Sequence, residues 1–285
     1  MQTGYYGATG GMVTQFNRLD IISHNLANLN TNGYKRDDVV IGDFLRLVQG
    51  HQDTLPIPDD TKAAAKFINR TMTRVPTIAE SYTDHSTGAM DFTENELDFA
   101  LKSPNMFFAV QTPNGIAYTR NGSFSISDDG YLVTKEGFHV LSRDGIDNEG
   151  GIMMNSNMQI SVDTNGNINF KDLSNEGMQD NIAGGSLAIV TFNNPKYLRK
   201  VGSSLYVEHR KIPNDTSSDG LAGANLVYNS AAVAQGFLEK SNVNAVLEMS
   251  SMIETNRLVD MYSKVMKTHM DELNSEAINK LAVRA

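Results

Sequence analysis

The sequence contains no cysteine in 285 residues. That single absence excludes disulfides, thiolate metal sites, iron–sulfur clusters and a cysteine nucleophile. Positive charge is in the minority, with 24 Lys and Arg against 33 Asp and Glu and a formal charge of −9. A nucleic-acid binder needs a basic footprint to meet phosphates, so that class is excluded as a partner. Long apolar runs are missing too. FFAV and LAIV are typical, far short of the roughly 18 residues of a membrane-spanning helix, and no stable membrane insertion is expected. Residues 1–17 hold neither Lys nor Arg nor a continuous apolar stretch, so no cleaved signal peptide is expected. The six histidines are scattered, the closest pair being His24 and His51, and form no local metal or catalytic motif.

Sequence motifs with complete chemistry are absent as well. There is no P-loop, no G-x-G-x-x-G and no H-E-x-x-H. Gly184-Gly185-Ser186-Leu187-Ala188 lacks the last glycine of a nucleophile elbow, and the IVTF after it reads as a strand where an elbow needs a helix. Asp144–Gly150 resembles a calcium loop but has Ile146 at a position that needs an oxygen. Glu94, Glu96 and Asp98 are read as a solvated acidic loop rather than a catalytic carboxylate pair. Lys35-Arg36, Arg199-Lys200 and Arg210-Lys211 are read as solvated basic pairs. No catalytic residue, cofactor site or metal site is expected.

What remains is a contrast between the ends and the middle. A length of 285 residues suits one or two domains, and a hydrophobic share of 40% supports a packed core. All seven prolines lie between Pro56 and Pro213, and only Gly236 follows Gly223. Proline and glycine break helices and punctuate loops, so the ends are free to be long helices. Met12, Phe16, Leu19, Ile22, Leu26 and Leu29 recur at steps of three and four, one apolar stripe on a helix. Asn28–Gly33 then closes it, and Gly33 is expected at positive φ. Near the other end Met249, Met252, Asn256, Val259, Ser263, Met266, Met270, Leu273 and Ala277 keep the same spacing, with Ile253 and Leu281 widening the stripe, which suits a coiled-coil or bundle face. Ser241, Asn242 and Asn244 are candidate N-caps. A lone amphipathic helix of this kind is marginal in water. The two stripes are expected to pair, within one molecule or between molecules.

The middle, about 88 to 230, reads as strands. Pro-Asn-Gly, Arg-Asn-Gly, Asp-Asp-Gly and Lys-Glu-Gly interrupt apolar runs across residues 107–141, the pattern of successive hairpins. Asp163-Thr164-Asn165-Gly166 is read as a type I′ turn. The fold expected is a mainly β central body of antiparallel hairpins, flanked by long N- and C-terminal α-helices that form a coiled coil on assembly. Its parts are an N-terminal helix and turn over 1–36, a stalk or linker over 37–87, a β-rich body over 88–235 and a long helix over 236–285. Within the linker, short helical pieces are expected around 43–49 and 62–72.

Two stretches carry a family resemblance. HNLANLNTNGYKR, residues 24–36, resembles the N-terminal signature of the flagellar rod and hook family through Asn25, Ala27, Asn28, Thr31, Gly33, Tyr34, Lys35 and Arg36. GFLEKSNVNAVLEMSSMIETNR, residues 236–257, resembles its C-terminal signature. Between them AYTRNGSFSISDDGYLVTKEGFHVL and SLAIVTFNNPKYLRKVGSSLYV resemble the family's body blocks. SPNMFF, residues 103–108, departs from the Gly-x-Gly-Phe-Phe usual there.

The resemblance implies a structural subunit of the bacterial flagellar basal-body rod that polymerises helically and transmits torque. It implies as partners other copies of itself, neighbouring rod proteins, hook-side proteins and, in transit, the flagellar export apparatus. It implies a place in the basal body, in the periplasmic space. The apolar stripes would then be the assembly interface, and the signature residues would shape the exit from the first helix. The opening and closing segments look closer to the proximal rod type than to the distal rod or hook type. A periplasmic carbohydrate-active enzyme or a small-molecule binding module is the remote alternative from the residues alone.

Overall fold

The computed structural model describes residues 2–43, 76–145, 150–154, 158–172, 182–202, 204–208, 224–226 and 232–282. The helical readings for 44–49 and 62–72, the Arg210-Lys211 pair and part of the candidate calcium loop lie outside them. The chain forms two units, one of Met1–Ala27, Asp37–Thr83 and Asn244–Ala285, the other of Asn28–Arg36 and Asp84–Val243. Two α-helices and a strand-rich core make up the described residues.

The first unit holds both helices. α1 (Gln2–Ala27) and α2 (Ala245–Ala282) lie against each other. Asn244 caps α2, its Oδ1 accepting from the amides of Val246 at 3.0 Å and Leu247 at 3.3 Å. Those amides have no partner inside the helix, so the cap satisfies them. The contact between the helices is close. A Cβ on Gly11 would stand 2.5 Å from the Tyr262 ring, and Thr9 Oγ1 donates to Met266 Sδ at 3.4 Å. The buried positions of α1 are Ala8, Gly11, Thr14, Gln15, Ile22 and Asn25. Most are small or polar, and at 100° per residue their face is turned about a fifth of a turn from the apolar stripe.

A ribbon of β1 (Asp37–Asp43) and β2 (Pro76–Thr83) completes this unit, antiparallel with a register shift between Val40 and Ile41. Thr14 Oγ1 donates to Pro76 O at 2.9 Å.

Among the described residues every strand pair of the second unit is antiparallel. Its main sheet runs β14 (Leu198–Val201), β15 (Leu205–Glu208), β6 (Gly115–Thr119), β5 (Met106–Thr112), β9 (His139–Val140), β8 (Leu132–Thr134), β7 (Phe124–Ile126). β13 (Ile189–Phe192) pairs with both β5 and β16 (Ala224–Leu226). β10 (Met158–Val162), β11 (Asn167–Asp172) and β12 (Ile182–Ser186) make a three-stranded sheet. Two short pairs remain, β4 (Phe99–Leu101) with β17 (Val233–Gln235) and β3 (Met90–Phe92) with β18 (Phe237–Glu239).

β5 shows why this sheet is stable. Phe108 and Val110 enter one hydrophobic cluster, with Phe99, Phe124, Leu132, Ile152 and Val233. Phe107 and Ala109 enter another, with Tyr118, Val190, Phe192 and Tyr206. A strand covered on both faces must be apolar at every position rather than at alternate ones, and FFAV is such a run.

Three turn and loop readings are corrected here. Only Gly166 of the 163–166 turn has positive φ, at +83°, whereas a type I′ turn needs it at both central residues. Arg120-Asn121-Gly122 is not a hairpin turn. β6 and β7 do not pair, and a Cβ on Gly122 would lie 1.8 Å from Phe99 O, so this glycine marks a close crossing of chains. In the acidic loop Glu94 and Glu96 are exposed, but Asp98 is buried, its Oδ2 accepting from Thr93 Oγ1 at 2.7 Å.

A candidate latch between the two signature segments

The chain leaves α1 at Ala27 and turns through residues 28–36. The turn is built by its own residues. Thr31 Oγ1 donates to Asn28 Oδ1 at 3.1 Å, and the Tyr34 amide donates to Thr31 O at 3.3 Å. Gly33 sits at φ +69°, the conformation the Asn-Gly pair favours. No other residue fits there, since a Cβ would meet the Arg120 and Asn121 backbone at 2.5 Å. In the helical unit, Asn25 ties the helix end to β1. Its Nδ2 donates to Asp37 O at 2.8 Å and its Oδ1 accepts from the Asp37 amide at 3.0 Å.

From Gly33 onward every residue of the turn is gripped inside the β unit. The Gly33 amide donates to Glu239 O at 2.7 Å. Tyr34 is buried with Lys200 Nζ 3.6 Å from its ring centroid, a cation–π contact. Lys200 Nζ also donates to Lys35 O at 2.9 Å. The Arg36 amide donates to Asn242 Oδ1 at 2.7 Å, and Arg36 O accepts from the Asp84 amide at 2.8 Å.

Lys35 is the centre of the arrangement, and its burial overturns the reading of Lys35-Arg36 as a solvated pair. The side chains of Lys35, Arg120 and Glu239 are 0%, 0% and 1% exposed. Lys35 Nζ donates to Glu239 Oε1 and to Ser86 O, both at 2.6 Å. Arg120 Nε donates to Glu239 Oε2 at 2.8 Å, and Nη2 pairs with the same oxygen. Its remaining N–H groups go to Ser103 O, Met106 O and Leu101 O at 2.6, 2.7 and 3.2 Å. Glu239 Oε1 takes a further bond from the Gly88 amide at 2.9 Å. All five guanidinium donors are thereby used, and each carboxylate oxygen accepts twice.

A buried ion pair persists when its leftover donors and acceptors are satisfied, because desolvation is otherwise too costly. The remaining imbalance is one positive charge. Burial pushes the Lys35 ammonium below its ordinary pKa, opposed by Glu239 and reinforced by Arg120. Burial also lowers Arg120, again opposed by Glu239.

In sequence Lys35 stands out only as part of the signature turn and of a basic pair, and Arg120 and Glu239 do not stand out as its charged partners. The available signal was a charge directly adjoining an apolar run, Arg120 after Ala-Tyr-Thr and Glu239 after Phe-Leu. The helix-stripe residues fall elsewhere. Ile22 is buried, while Met12, Leu19, Leu26, Leu29, Met252, Val259, Met266 and Leu273 are half-buried. Phe16, Met249, Ile253 and Met270 are exposed. Among the described residues no three His, Asp or Glu side chains group as metal ligands, and no helix is long and apolar enough to cross a membrane.

Helices at both ends, a β body and a latch binding the two end segments together describe a structural chain. Comparison with known proteins agrees. The family model for the flagella basal body rod protein matches residues 6–35, that for the flagellar hook protein FlgE/F/G D1 domain matches 104–170, and that for the flagellar basal body rod FlgEFG protein C-terminal matches 234–280. The flagellar basal-body rod protein FlgG of Bacillus subtilis is 32% identical, covering 98% of this chain and 99% of its own. FlgG of Buchnera aphidicola subsp. Schizaphis graminum is 33% identical over 90% and 92%. FlgF of Rhizobium meliloti is 31% identical over 94% and 93%. The chain belongs to the family of flagellar basal-body rod proteins, of F/G type. Lys35, Arg120 and Glu239 fall one in each of the three matched segments.

Proposed function

We propose that this protein is a non-catalytic rod subunit that polymerises helically through its terminal helices and carries torque along the axis. The observation that supports this most is the latch. It clamps the N-terminal turn, the segment entering β3 and the residues leading into α2 to one another with paired charges and backbone bonds. Such a joint suits a part whose task is to hold shape under load. The helix surfaces support assembly with other copies. Phe16 on α1 and Met249, Ile253 and Met270 on α2 remain exposed, so part of each apolar stripe is open to a neighbour. The partners are other copies, neighbouring rod proteins and hook-side proteins, reached through the flagellar export apparatus. The site of action is the periplasmic part of the basal body, without stable membrane insertion.

The opening and closing segments favour the proximal rod position. The distal position is the second reading, favoured by the 32–33% identity to relatives named FlgG. The test is to delete the native gene, isolate basal bodies and locate an epitope-tagged copy by immunogold electron microscopy. Label at the inner end of the rod supports the proximal place, and label at the hook end the distal place. Complete rods and normal swimming without the protein would overturn the structural role.

A further inference from the structure

We propose that residues 232–242 are a closing strap: the β unit completes its fold only when this late segment docks, and Glu239 is the group that closes it. The strap joins several separate segments of the unit in eleven residues. Ala232 O accepts from the Lys102 amide at 2.9 Å, and the Val233 amide donates to Thr164 O at 3.0 Å. Gln235 bridges two more segments, its Oε1 accepting from the Val162 amide at 2.9 Å and its Nε2 donating to Glu96 O at 2.8 Å. The Gly236 amide donates to Asp98 O, and Gly236 O accepts from the Thr93 amide, both at 2.8 Å. Gly236, at φ +76°, bends the chain so that β17 pairs with β4 and β18 with β3.

Without the strap the unit loses two things. First, β3 and β4 lose the strands they pair with among the described residues, and the main cluster loses Ala232 and Val233. Second, Lys35 and Arg120 are left as two buried cations without the carboxylate they share. Removing the partner of a buried charge costs far more than the pair itself contributes, so the unit is held open until the anion arrives. Glu239 stands at the end of the body's sequence, ahead of α2 alone. A chain emerging N-terminus first therefore stays extensible through most of its length and closes in one late step.

Rate measurements on the full chain decide this. Wild type, Glu239→Gln and Gln235→Ala are unfolded and refolded in denaturant, followed by near-ultraviolet circular dichroism from the buried Tyr34, Tyr118 and Tyr206. The expected result is folding slowed by about tenfold or more, with unfolding changed much less, because strap contacts are already made in the transition state. If unfolding accelerates while folding keeps its rate, the strap docks onto a finished body and the proposal is overturned. Where both rates change, the larger change decides between these two outcomes. Should Glu239→Gln fail to fold, Gln235→Ala and Leu238→Ala carry the same comparison on the same segment.

Discussion

Lys35 Nζ lies 2.6 Å from Glu239 Oε1, although the two residues are 204 positions apart in the chain. Each sits in one of the two end signatures, so those signatures are two halves of one recognition. Arg120 holds the carboxylate from the body side and Lys35 from the N-terminal side.

The two ends of this pair are unequal. Glu239→Gln leaves two buried cations without an anion and is expected to destabilise the β unit by about 3–5 kcal/mol. Lys35→Met leaves a neutral Arg120–Glu239 pair. Glu239 Oε1 keeps the Gly88 amide, and Ser86 O keeps Asn242 Nδ2 at 3.2 Å. With no acceptor orphaned and the side-chain volume kept, the expected cost is within about 1.5 kcal/mol. Denaturant titrations of both variants check the asymmetry.

The lowered pKa of Lys35 sets a pH dependence. Between its folded value and the ordinary 10.5 the unfolded chain holds the proton and the folded chain does not. Unfolding then takes up a proton, so the contribution of Lys35 to stability rises with pH across that window and is smallest below it. The difference in slope between wild type and Lys35→Met, measured by denaturation at several alkaline pH values, isolates this group from the tyrosines and Arg120.

Glycine substitutions separate backbone strain from collision. Gly33 and Gly137 both have positive φ, at +69° and +85°. An added Cβ at Gly137 meets nothing within 4 Å, whereas at Gly33 it meets backbone at 2.5 Å. Gly137→Ala is expected to cost about 1 kcal/mol and Gly33→Ala more than about 3 kcal/mol. Thermal melts of the two variants rank them, and Gly33→Ala is expected to abolish swimming as well.

On α2 the outer and inner faces make different demands. Ile253 is 56% exposed. Ile253→Asp is expected to change the stability of the isolated chain by less than about 0.5 kcal/mol and to block incorporation into the rod. Met266 faces α1 at Thr9. Met266→Asp sets a carboxylate in that seam and is expected to lower helix content in the isolated chain and also to prevent assembly, leaving the β unit folded. Far-ultraviolet circular dichroism and basal-body fractionation distinguish the two outcomes.

Local patterns in the sequence carried the helices, the helix-ending turn and the run of strands from 106 to 141. They carried these because period, proline and glycine act within a few residues. The ribbon of β1 and β2 was read as linker, since its strands are separated by the long stretch between Asp43 and Pro76 and neither alternates strongly. The offset between the buried face and the apolar stripe on α1 was equally hidden. Close helix contact at Gly11 and Tyr262 requires small residues, and small residues carry no apolar signal. The latch lay beyond reach for a different reason. A lysine is solvated unless something distant neutralises it, and here the neutralising group belongs to the far end of the chain. Arg120 and Glu239 both stand within family motifs, but nothing local said that their charges would meet.

The covalent path passes between the two units after Ala27, Arg36, Thr83 and Val243. Three of these passages are stitched together in the β unit, where Asn242 bonds to the Arg36 amide and to Asp84 O and the Asp84 amide bonds to Arg36 O. A force drawn along one strand is therefore divided among its neighbours before it reaches the sheet. Strands loaded side by side share shear, whereas strands loaded in sequence give way one after another like an opened zip. A junction built this way yields only when its strands shear together.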